Sequence, residues 1–131
     1  LTVPMKNLTR TICLTLAGLL GSMGTSSGAD FDKGVAAYQS GDFATALREW
    51  KPLAEQGNAD AQFNLGLMCY NGQGVPQDYV RAHMWFNLSA STGDEDAIEN
   101  RDIAANKMTP EQIAEAHKLA RECVAKYYKG C

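Results

Sequence analysis

Basic residues are sparse in this chain and nowhere clustered. Twelve lysines and arginines face fifteen acidic residues, for a net charge of −3. A nucleic-acid binder needs Lys and Arg gathered on one face to neutralise phosphates, so nucleic acid is not an expected partner. Histidine is scarcer still. His83 and His117 are the only two, and a zinc site needs three or four converging ligands, so His83 is expected as a surface or boundary imidazole and no metal is expected. There is no Ser-His-Asp set, no His-Glu-x-x-His, no Ser-x-x-Lys, no phosphate loop and no dinucleotide fingerprint. Gly72-x-Gly74 follows a helix rather than a strand, so it reads as a turn. Neither an enzyme nor a cofactor is expected. Long apolar runs are missing too: the longest, residues 12–20, is too short to span roughly 30 Å of hydrocarbon. No segment reads as a β-strand.

That short run sits in a telling context. Met5-Lys6 and Arg10 place positive charge before it or at its edge, and small residues fill 21–29. These are the n-region, h-region and cleavage zone of a secretory signal peptide, with Ser27 and Ala29 at the two positions that require small side chains. Residues 1–29 are therefore expected to be a leader cut before Asp30, with 1–4 an extension upstream of Met5. Cys13 lies too early to be a lipidation site. The expected product, 30–131, is periplasmic or secreted and has no membrane insertion after cleavage. Loss of Lys6 and Arg10 takes its net charge to −5, which serves solubility and steers weakly toward basic partners. Three cysteines remain in an oxidising compartment, enough for one disulfide and one thiol. Cys123 with Cys131 is the local pairing, requiring the chain to turn back after Tyr128. Cys69 with Cys123 is the long-range alternative.

What is abundant is internal echo. Asp42, Phe43, Ala46, Trp50, Ala54, Gly57 and Ala61 return 36 positions later as Asp78, Tyr79, Ala82, Phe86, Ala90, Gly93 and Ala97. A repeat at that period marks stacked helical hairpins. Helices are expected from about 30 to 39, 43 to 56, 58 or 60 to 70, 79 to 91, 94 to 107 and 110 to 128. Asp, Asn or Thr caps their starts and Gly ends several of them. Thr109-Pro110-Glu111-Gln112 is a capping box with proline in the first helical position. Pro52 lies inside the second helix and is expected to kink it or weaken a turn. Glu111 and Glu115, one turn apart on the last helix, belong to a solvated face. The fold class is all-α: an α/α solenoid of two and a half to three antiparallel helix pairs, divided at about 30–57, 58–93 and 94–128.

The segment Ala61-x3-Leu65-Gly66-x3-Tyr70-x-Gly72-x-Gly74-Val75-x2-Asp78-x3-Ala82-x2-Trp85-Phe86-x3-Ala90-x2-Gly93-x3-Ala97 closely resembles the Sel-one-like repeat, a relative of the tetratricopeptide repeat. The first unit matches more loosely, through Gly34, Tyr38, Asp42, Ala46, Trp50, Ala54 and Gly57, and the third keeps only the helical pattern. The resemblance implies a right-handed solenoid with a concave face, acting as an adaptor for a protein or peptide. On that geometry Gln62, Phe63, Asn64, Leu67 and Asn71 are expected to point outward from the concave helix and bind the partner. Phe63 and Leu67, four apart, would suit a docked peptide or helix; packing against a neighbouring hairpin is the competing expectation. Self-association through an exposed hairpin edge is the alternative function. A lower one is the β-lactam-binding or hydrolase-like role linked to a cysteine-rich exported subgroup, whose paired cysteines are absent from these repeats.

Overall fold

Six side chains start six helices. In the computed structural model, which describes residues 28–131, Asp30, Asp42, Asn58, Asp78, Asp94 and Thr109 each accept a hydrogen bond from the backbone N–H three residues on. Each such bond satisfies one of the donors that a helix start leaves unpaired. The helices are α1 (Phe31–Gln39), α2 (Phe43–Glu55), α3 (Ala59–Asn71), α4 (Tyr79–Ala90), α5 (Glu95–Ala105) and α6 (Pro110–Ala125). No strand occurs among the described residues. At α6 the capping box is complete: Gln112 N–H donates to Thr109 Oγ1, and Thr109 N–H donates to Gln112 Oε1. α2 runs through Pro52 without ending. The leader expected over 1–29, with Cys13, lies outside the described residues except for its last two positions.

Two glycines let the hairpins close. A Cβ on Gly66 would lie 2.6 Å from the Phe86 ring, and one on Gly34 would lie 2.7 Å from Cδ1 of Trp50. Gly34 and Gly66 occupy matching places in successive first helices, and Trp50 and Phe86 in successive second helices. The repeat is therefore built on one contact made twice: a bare backbone against a fully buried ring. Trp50 keeps its polar edge satisfied by donating from Nε1 to Phe31 O at 3.2 Å.

α1 packs on α2, α2 on α3, α3 on α4 and α4 on α5, a sequential stack of antiparallel helices. The last pair departs from the pattern. α6 packs on α4, and α5 and α6 touch each other little, so the third unit is open where the first two are closed hairpins. Beyond α6 the chain turns back through Tyr127 and Tyr128, both left-handed at φ 53° and 64°. The Cys123–Cys131 disulfide, Cα–Cα 5.6 Å, fixes that return. This is the local of the two pairings, and it leaves Cys69 as a buried thiol.

Candidate functional site

The five α3 residues expected to face a partner do not form an exposed surface. Gln62, Phe63, Asn64 and Leu67 are 2%, 1%, 3% and 0% exposed, and only Asn71 is half-buried. The reason is local. Every residue from Ala61 to Tyr70 is buried, so α3 has no solvent side, and a helix apolar or covered all round belongs to the core. Gln62 donates from Nε2 to Ala54 O at 3.2 Å, a carbonyl in the last turn of α2 that also accepts from Gly57 N–H at 3.0 Å. Phe63 stacks at a tilt on Phe86, ring centroids 5.5 Å apart. The amide oxygen of Asn64 and the amide nitrogen of Asn71 are buried without a hydrogen-bond partner. The outward-facing assignment is thus corrected for four of the five, and packing wins.

Accessible concavity lies elsewhere. A cavity of about 320 Å³ opens between α2, α3, α4 and the turn over residues 72–78. The turn is shaped by Gly72, left-handed at φ 66° as the cap of α3, and by Gly74, where a Cβ would sit 3.0 Å from that of Phe43. Four hydrogen bonds pin the segment after Gly72: Gln73 N–H donates to Met68 O, Gln77 Nε2 to Tyr70 O, Asp78 N–H to Cys69 O, and the Tyr38 hydroxyl to Gln73 Oε1. Leu47, Leu65, Met68, Val75 and Trp85 give the cavity an apolar lining, and Lys51 and Arg81 stand at its edge. Arg81 donates from Nη1 to the backbone oxygen of Cys131 at 2.9 Å, with Nε 3.7 Å from Asp78. Asp78 is engaged in capping α4 through Oδ1. Cys69 is part of the wall; burial, then the Asp78 charge, pushes its thiol up to about 12, so it is held as an inert thiol rather than a nucleophile.

Lys51 and Arg81 were not singled out from sequence, and Trp85 entered only as a position of the repeat motif. The signal that marks them is helical spacing: Leu47 and Lys51 are one turn apart on α2, as Arg81 and Trp85 are on α4. A second hollow, about 450 Å³, lies between α4 and α6 and is lined by Asn87, Leu88, His117, Arg121, Val124 and Tyr128. Next to it His83 is 3% exposed, not a surface imidazole, and meets the exposed His117 ring edge-on at 5.1 Å. Burial, then the His117 and Arg101 charges, lowers the His83 pKa to about 4, so its ring is neutral near pH 7. Glu111 and Glu115 are exposed. No group of three or more His, Cys, Asp or Glu side chains is placed to hold a metal among the described residues. No described helix is long and apolar enough to cross a membrane.

The Sel1 repeat model matches residues 59–94, which is the α3–α4 hairpin and the turn that shapes the first cavity. Among solved structures, the chain is similar to a protective antigen present in uropathogenic Escherichia coli strains that displays an SLR fold. The identity is 34% and the TM-score 0.70; the match covers 75% of this chain and 22% of that one. The chain thus spans about a fifth of the length of that relative. No curated protein matches it.

Proposed function

We propose that this Sel1-like repeat protein is a non-enzymatic adaptor that holds a segment of another protein in the cell envelope. Repeats of this kind typically mediate protein–protein interaction and are generally non-catalytic scaffolds. The observation that carries the reading is the Sel1 repeat itself, laid over one complete hairpin at residues 59–94. A solenoid stacks hairpins to bury a continuous core and leaves extended surface free for partners. Envelope location rests on the leader-like pattern of residues 1–29 and agrees with a similar protein being a protective antigen. Since Gln62, Phe63, Asn64 and Leu67 are core residues, the partner meets other surface.

Affinity capture from a cell-envelope extract tests this, using processed protein that starts at Asp30. A heterologous protein recovered in near-equal amount and eluted by competing processed protein is the expected result. A second reading is self-association, favoured by Val124 and Tyr127, which are 51% and 81% exposed beside the open third unit. Sedimentation that shifts with concentration, with no heterologous protein captured, would replace the adaptor reading by that one.

A further inference from the structure

The cavity between α2, α3 and α4 has the volume of a ligand pocket, an apolar lining and a cationic edge. We infer that it is a binding site for an acidic segment of a partner protein. An aliphatic side chain of that segment fills the slot beside Trp85, and a neighbouring Asp or Glu pairs with Arg81 and Lys51. The inference rests on the adaptor reading and gives it an address.

Three observations select this occupant. Most of the lining is hydrocarbon and aromatic: Leu47, Leu65, Met68, Val75 and Trp85 offer dispersion contacts, which suits an aliphatic group. The edge carries Lys51 and Arg81 in a segment, 30–131, whose net charge is −5, so a local positive site stands in an acidic surround and attracts a carboxylate. The one carboxylate beside them, on Asp78, is taken up by the α4 cap and by the 3.7 Å contact with Arg81. Finally, Arg81 already donates to a main-chain oxygen beside the cavity, that of Cys131 at 2.9 Å. The protein's own tail shows that this guanidinium takes an oxygen acceptor here, and its planar fork of donors suits a carboxylate.

Selection of displayed short random peptides on the purified protein, with the Arg81→Glu variant as a counter-screen, tests the site. Arg81 has a side chain 53% exposed, so the variant is expected to melt with the wild type, and equal melting temperatures qualify the comparison. Lys51→Glu, also at an exposed position, serves in its place if they differ. Peptides enriched on the wild type should share an aliphatic residue next to Asp or Glu. Changing that acid to its amide, or Arg81 to Glu, should weaken binding about tenfold, the scale of one charge-assisted hydrogen bond. A consensus without acidic residues, or an affinity unchanged in Arg81→Glu, overturns the site. A protein partner captured equally by wild type and Arg81→Glu also overturns it and leaves the adaptor reading standing. Absence of any captured protein, with an acidic peptide consensus intact, sinks the adaptor reading instead.

Discussion

Glycine 66 is the residue on which the hairpin geometry turns. Alanine is the better helix former by about 1 kcal/mol, yet its methyl group would press on the Phe86 ring from 2.6 Å. Overpacking of that order costs about 1–3 kcal/mol, so after the propensity gain Gly66→Ala is expected to destabilise by up to about 2 kcal/mol net in urea melts. A gain in stability would show that the backbone gives way cheaply. Burial of His83 gives a second residue-scale expectation. Unfolded, its pKa is near 6.5; folded, it is about 4. The unfolded chain therefore takes up the proton first, and stability falls as pH drops from about 6.5 to about 4. The loss is on the order of 3 kcal/mol. In His83→Gln that slope should vanish, and persistence of the same slope would assign it elsewhere. Glu49 offers a third. Its side chain is nearly buried, accepting from Asp30 N–H at 3.0 Å and paired with Lys33 at 3.0 Å. These contacts hold its carboxyl below the usual carboxylate range. If the leader is cut before Asp30, as proposed, that N–H becomes an α-ammonium and the hydrogen bond becomes an ion pair. Glu49→Gln should then lower the melting temperature of protein starting at Asp30 more than that of N-terminally extended protein. Equal losses would contradict it.

At the scale of elements, the helix starts were legible because capping is local chemistry. Asp42, Asp78 and Thr109 cap as expected, Asn58 rather than Asp60 opens α3, and Asp30 and Asp94 stand just before α1 and α5 as their caps; none depends on a distant neighbour. The facing of α3 was not legible. Gln62 and Asn64 are polar, and polarity reads as surface, yet tertiary packing surrounds the whole helix and turns Gln62 inward to the end of α2. The cavity escaped for a related reason: its walls come from α2, α3, α4 and a turn, and no periodicity reports which helices converge. α6 depends on its tail. The Cys123–Cys131 bond closes a loop of eight residues, and chain-entropy arguments give about 2–3 kcal/mol for a loop of that size. Cys131→Ser should lower stability by up to that amount, with the left-handed Tyr127 and Tyr128 released first. Amide exchange that quickens more over 126–131 than in the core is the expected signature; equal quickening throughout would mean that the tail opens only with the cooperative core.

For the whole molecule, the repeat explains more than the number of helices. Each hairpin leaves a stripe that only its neighbour can cover, so core and surface are settled between units rather than within them. That is why the echo disclosed the architecture while single-helix reasoning misplaced the binding face. It also separates the two functional surfaces now in play: the charged cavity on the Sel1 hairpin, and the apolar edge of α6 at Val124 and Tyr127. The most direct test is amide hydrogen exchange of the protein with and without its captured partner. Protection concentrated in the C-terminal half of α2, the 72–78 turn and the first turns of α4 is the predicted result. Protection confined to α6 would contradict the account and move the partner's site to the apolar edge at Val124 and Tyr127.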